Sequence, residues 1–134
     1  MVSDAIGDLI IRLKNAGTVG HAHVEVPYSK LRHAVAKKLE EAGYVAEVKE
    51  QSKKQAKVSE KSLSIALKYE GGAHKINGVK RISKPGRRLY TKVANIHSVK
   101  FGKGHLILST PLGILTNEEA KEKQVGGEQL FIIW

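Results

Sequence analysis

Ile6, Leu9, Ile10 and Leu13 recur at three- and four-residue intervals, the spacing of one helical face, while Asp8, Arg12 and Asn15 fall on the opposite side. Ser3 is placed to cap this helix and Gly17 to end it. Residues 21–26 alternate weakly and stop at Pro27, which predicts a short strand. Ser29 then caps a second helix with Leu31, Val35 and Leu39 turned inward and Gly43 as its C-terminal stop. Residues 44–49 and 63–69 read as strands, the second with Leu63, Ile65, Leu67 and Tyr69 on one face. The polar, Lys-rich residues 51–61 between them predict a mobile hairpin loop. The first half therefore reads helix–strand–helix–strand–strand.

Gly71-Gly72 is the predicted boundary, giving an α/β domain over 1–70 and a β-rich domain over 71–134. In the second, short β-rich runs at 75–83, 88–90, 106–108, 114–115 and 129–133 are separated by turn sequences. These turns are Ser83-Lys84-Pro85-Gly86, Gly102-Lys103-Gly104, Pro111 to Gly113, and Gly126-Gly127. Thr116-Asn117-Glu118-Glu119 opens one short helix, with acids in its first turn and Lys121 and Lys123 later, as the helix dipole favours. The fold class is α/β in the broad sense, α+β in detail. No internal repeat or low-complexity segment is present.

Charge sharpens this picture. The 134 residues carry 23 Lys or Arg against 13 Asp or Glu, a net charge of +10. Residues 45–92 hold thirteen of the basic and four of the acidic groups. No Asp or Glu lies between Gly71 and Asn117, whereas Lys75, Lys80, Arg81, Lys84, Arg87, Arg88, Lys92, Lys100 and Lys103 all do. Solvated faces usually mix signs to limit self-repulsion, so an acid-free stretch points to a polyanion. With no Cys, disulfides, thiolate metal sites and a thiol nucleophile are excluded. No apolar run approaches the ~20 residues of a membrane span and the N-terminus has no signal-peptide pattern, so a soluble protein of a reducing compartment is expected.

Two local features point to phosphate. Lys30 and Arg32 sit in the first turn of the second helix, where cations oppose the dipole, yet a helix start with its free N–H groups suits an anion. Ser29, Lys30 and those amides would hold a phosphate; the alternative is that both side chains extend into water. Further on, a Pro-Gly turn flanked by Lys84, Arg87 and Arg88 projects a cationic cluster. Tyr90 beside it is either a stacking face for a base or a core residue of its strand. Enzyme signatures are missing. No Ser has nucleophile-elbow spacing, Gly102-x-Gly104 lacks the rest of a dinucleotide motif, and His21 with His23 lacks a third metal ligand. No catalysis, cofactor, metal, membrane or small-molecule substrate is expected.

The segments Ile82-Ser83-Lys84-Pro85-Gly86-Arg87-Arg88-Leu89-Tyr90, Leu106-Ile107-Leu108-Ser109-Thr110 and Gly126-Gly127-Glu128 resemble the bacterial S-eight protein family of the small ribosomal subunit. Residues 4–15 and Pro27-Tyr28-Ser29-Lys30-Leu31 do so too, and the resemblance runs through the whole chain in order. It implies a cytoplasmic ribosomal protein that binds the central domain of 16S ribosomal RNA early in assembly, alongside other small-subunit proteins. It also implies that the C-terminal half provides the principal contacts, with the Ser-Thr loop, here Ser109 and Thr110, reaching a bulged part of an RNA stem. Tyr90 and Glu128 would join them in reading shape and bases. Lys84, Arg87, Arg88 and Lys30 would anchor phosphates, with Ser29, Arg12 and Asn15 as further contacts. The family continues the loop with another Ser and a basic residue, where this chain has Pro111 and Leu112. The competing reading is a basic scaffold that binds nucleic acid by charge alone.

Overall fold

The computed structural model describes residues 4–55, 58–99 and 102–134. Backbone contacts group Leu9–Lys75 into one compact unit and Met1–Asp8 with Ile76–Trp134 into another. Helix α1 spans Ala5–Val19. Its predicted cap, Ser3, lies outside the described residues. Asp4 takes that role, since its Oδ1 accepts from the Gly7 N–H at 3.0 Å. Gly17 does not end the helix. It lies inside it, at a point where a Cβ would overlap the His74 ring. A close approach, not a stop, selects this glycine.

The Leu9–Lys75 unit continues with β1 (His23–Pro27), α2 (Lys30–Glu41), β2 (Val45–Gln55) and β3 (Val58–Leu67). The order β1-β3-β2 makes an antiparallel sheet with the predicted succession of elements. Ser29 caps α2, its Oγ accepting from the Arg32 N–H at 3.0 Å. The helix ends through Gly43 (φ +89), whose N–H donates to Glu40 O, while Tyr44 N–H reaches Leu39 O. That pair of bonds is the left-handed stop that glycine permits without strain. Val35, Ala36 and Leu39 are buried but Leu31 is exposed, because the apolar stripe fades at the open end of the helix. The expected loop at 51–61 is mostly strand: pairing runs without a break from Gln51↔Ser62 to Gln55↔Val58. The backbone ladder extends through this polar sequence, which lacks the apolar alternation that marks a buried strand. Ala56 and Lys57 lie outside the described residues. A two-stranded ribbon, β4 (Tyr69–Glu70) with β5 (Ala73–His74), turns at Gly71-Gly72.

In the second unit β6 (Val79–Arg81), β7 (Tyr90–Thr91), β8 (His105–Thr110), β9 (Gly113–Thr116) and β10 (Gly127–Ile133) form a five-stranded antiparallel sheet. Strand β10 is central, pairing with β6, β7 and β8. The strand runs predicted at 75–83 and 88–90 shorten to β6 and β7, while the other three lengthen. Helix α3 (Asn117–Glu122) starts in a complete capping box between Thr116 and Glu119. Ile96, Leu106, Leu108, Leu115 and Ala120 form the buried cluster beneath it, with Ile82, Val99, Val125 and Ile132 packed around. Lys100 lies outside the described residues.

Asp4 also pairs with Arg81 Nη1, whose Nε donates to Ser83 O at 2.9 Å. Burial lowers the Arg81 pKa from its ordinary value, and the charge of Arg88 lowers it further. Asp4→Ala, which removes both cap and counter-charge, should cost about 1–2 kcal/mol in chemical denaturation. Asp4→Asn, which keeps the cap, should lose less than half of that.

Candidate nucleic-acid interface

Register in the five-stranded sheet brings together residues far apart in the chain. Glu128 on β10 pairs with Tyr90 of β7 on one side and with Ser109 of β8 on the other. Directly opposed residues in antiparallel strands share a face, with Cβ atoms about 4.5–5.5 Å apart. Tyr90, Glu128 and Ser109 therefore form one cross-strand row. Tyr90 is 71% exposed, which decides between its two readings: its ring is available for stacking and is not core.

The polar atoms of this row differ in what they have left to offer. Glu128 Oε2 accepts from Arg88 Nη1 at 3.1 Å, so this carboxylate has a partner within the protein. Arg88 remains about half exposed while Glu128 is largely covered. Thr110 Oγ1 donates to Gly113 O at 2.7 Å and accepts from Leu112 N–H at 3.2 Å. Its proton is spent in the turn and one lone pair remains. Ser109 Oγ makes no such bond among the described residues and keeps both donor and acceptor.

The cationic turn is a two-residue hairpin. Lys84 and Arg87 exchange both backbone N–H···O bonds, at 2.8 and 2.9 Å, around Pro85-Gly86. Lys84, Arg87 and Arg88 are exposed. Buried Ser83 latches the turn: its Oγ accepts from Leu89 N–H at 3.0 Å and donates to Leu89 O at 3.3 Å. Ser83 belongs to the turn sequence, but nothing local in the chain signals this latch.

Within the Leu9–Lys75 unit, the other predicted contacts divide between two shallow depressions with no residue in common. Arg12 and Asn15 line one with Ala16, Val19, His21 and His23. Lys30 lines the other with Tyr28, His33, Ala34 and Lys37. Ser29 spends an acceptor on the helix cap, and Arg32 folds back so that Nη1 reaches Pro27 O at 3.4 Å. Of the two cations that oppose the α2 dipole, Lys30 is the exposed one. No group of three or more His, Asp or Glu among the described residues is placed to hold a metal ion.

The family model for ribosomal protein S8 matches residues 4–134. The chain belongs to this family. It is 41% identical over 133 residues to the small ribosomal subunit protein uS8 of Mycoplasmopsis synoviae, covering 99% of this chain and 98% of that one. The uS8 proteins of Nitratidesulfovibrio vulgaris and Paenarthrobacter aurescens are 40% and 44% identical over 134 residues. The first covers all of both chains; the second covers 99% of this chain and 98% of its own.

In this S8 family member Gly126-Gly127 is not the expected turn. Gly127 opens β10, and a Cβ on it would overlap the Ser109 carbonyl oxygen. A Cβ at Gly126 would overlap the Thr91 carbonyl oxygen in the same way. The pair exists so that β10 can press against β7 and β8, which sets the Tyr90–Glu128–Ser109 row. Gly127→Ala should therefore destabilise by about 1–3 kcal/mol, a fall of several degrees in Tm by circular dichroism. Gly86→Ala, with open space around its Cβ, should stay within about 0.5 kcal/mol.

Proposed function

We propose that the protein is a structural component of the small ribosomal subunit, in the cytoplasm, that binds the central domain of 16S ribosomal RNA directly. On this reading it organises that RNA during assembly beside other small-subunit proteins, by holding a conformation and not by chemistry. Its membership of the ribosomal protein S8 family supports the ribosomal role. The cross-strand row of Tyr90, Glu128 and Ser109 next to the Lys84–Arg88 turn carries the RNA-binding reading.

The physical logic is a division of labour. Phosphate contacts position a protein on RNA but are blind to sequence, while contacts to unpaired bases specify it. A-form RNA closes its deep groove to side chains, so reading requires bases splayed out at bulges. Lys84, Arg87 and Arg88 lie in the stretch without acids and serve as anchors. Ser109, with a hydroxyl free to donate and accept, reads a base edge or 2′-OH, and the exposed Tyr90 ring stacks. Arg12, Asn15, Ser29 and Lys30 supply the contacts of the other unit.

Binding of a short central-domain stem-loop, measured by fluorescence anisotropy against a scrambled stem, tests this. Arg87→Ala or Lys84→Ala should weaken both RNAs by similar factors and make the salt dependence shallower by somewhat under one log unit per contact. Ser109→Ala should cost about 1–3 kcal/mol on the cognate stem alone, leaving salt slope and Tm unchanged. A folded Ser109→Ala variant that discriminates as well as the wild type would refute the reading role. Equal displacement of the RNA by duplex DNA would favour the charge-only scaffold instead.

A further inference from the structure

We infer that Leu112 is an RNA-contacting residue, supplying a salt-insensitive apolar contact to the ribose or base face of an unpaired nucleotide. The inference rests on the RNA-binding reading above and extends it to a residue that reading does not use.

The hairpin between β8 and β9 closes at the pair Thr110↔Gly113, so its loop is Pro111-Leu112 alone. Three of these four positions have a role in the turn. Thr110 ties both ends through its hydroxyl, Pro111 presets a corner φ, and Gly113 takes φ +117, where a side chain would be strained. Leu112 has no such role. Gln124 is the only non-glycine residue with positive φ among the described residues, so position 112 accepts any ordinary side chain. Its backbone N–H is bonded whatever the side chain is. Corners of this kind normally carry polar residues, yet the Leu112 side chain is 60% exposed. The fold does not explain a leucine here.

Its surroundings do. Five large apolar side chains are exposed among the described residues: Ile11, Val19, Leu31, Tyr90 and Leu112. Only the last two belong to Ile76–Trp134, and both stand at the same end of its sheet. Tyr90 pairs with Glu128 near the start of β10, and Leu112 follows Ser109 and Thr110 out of β8. Single exposed leucines are common and need no explanation. This one, however, sits on a two-residue loop tied by Thr110, next to a polar row whose Glu128 holds Arg88, in a stretch with no acid between Gly71 and Asn117. Cations and hydroxyls bind phosphate and base edges but leave ribose and base faces uncovered. Leucine covers such faces, as apolar side chains do when they wedge against bases. The charge around it selects nucleic acid over protein as the occupant.

Anisotropy titrations of Leu112→Ala, Leu112→Lys and Leu112→Met on the central-domain stem, with and without its bulged nucleotides, test the proposal at low and high salt. Leu112→Ala should weaken binding to the bulged stem about 5–20-fold at both salts, with unchanged salt slope and Tm. It should leave the stem without the bulge unaffected. Leu112→Met, which keeps apolar volume, should bind like the wild type. Leu112→Lys should steepen the salt slope by about one unit and fall below the wild type at high salt. A folded Leu112→Ala protein within twofold of the wild type, while Ser109→Ala still loses discrimination, would overturn the inference, leave the RNA-binding reading intact and turn Leu112 towards a protein neighbour. Failure of the wild type to prefer the central-domain stem over a scrambled one would instead overturn the reading on which both rest.

Discussion

At Gly127 the backbone of β10 runs so close to the Ser109 carbonyl of β8 that a single methyl group would overlap it, and Gly126 stands in the same relation to the Thr91 carbonyl of β7. Two glycines without Cβ atoms thus let three strands close up at one end of the sheet. Cross-strand partners follow from that closure: Tyr90, Glu128 and Ser109 come into one row although Tyr90 and Ser109 lie 38 and 19 residues before Glu128 in the chain. The register shifts between Gln129 and Phe131, just beyond the row. The buried cluster under α3 spans that irregularity, with Leu108 opposite Gln129 and beside Leu115 on one side of it and Leu106 opposite Ile132 on the other. One end of the sheet is built to display polar atoms and the rest to hold them still.

Electrostatics complete the division. Between Gly71 and Asn117 there is no acid to neutralise the cations, and the one carboxylate in the row, Glu128, is held by Arg88. Arg81, a half-buried cation of this stretch, is paired with Asp4 and bonded to Ser83 O, so its charge is committed to the fold. Lys84, Arg87 and the outer part of Arg88 stay exposed. Hydroxyls divide in the same manner: Ser83 and Thr110 spend theirs on turns, whereas Ser109 keeps its own.

Local chemistry was legible in the sequence. Ser29, Val35, Leu39 and Gly43 mark α2 because capping, apolar spacing and a left-handed stop act within a few residues. The Thr116–Glu119 capping box announces α3 for the same reason. Long-range causes were not legible. Gly17 and Gly126-Gly127 look like breakers, yet each is required by a side chain or strand distant in sequence. The pairing of Arg88 with Glu128 spans forty residues. Residues 51–55, polar throughout, gave no alternation from which to read the strand that their backbone pairing makes. At the candidate site the cationic turn and the Ser-Thr loop were visible as motifs, but the exposure of Tyr90 and the internal use of the Thr110 hydroxyl depend on tertiary geometry.

On the proposed reading, the row at the start of β10 meets RNA while the far end of that strand does not. From Glu128 to Trp134 is six residues, about 20 Å of extended chain. Trp134 is fixed there, exchanging backbone bonds with Gly78. A nitrogen–proton NMR titration with the central-domain stem tests this directly. The largest shifts should fall on the amides of Tyr90, Ser109, Thr110, Leu112 and Glu128, with the Trp134 indole N–H unmoved. Shifts centred on Trp134, or spread evenly over every lysine- and arginine-bearing segment, would contradict the account.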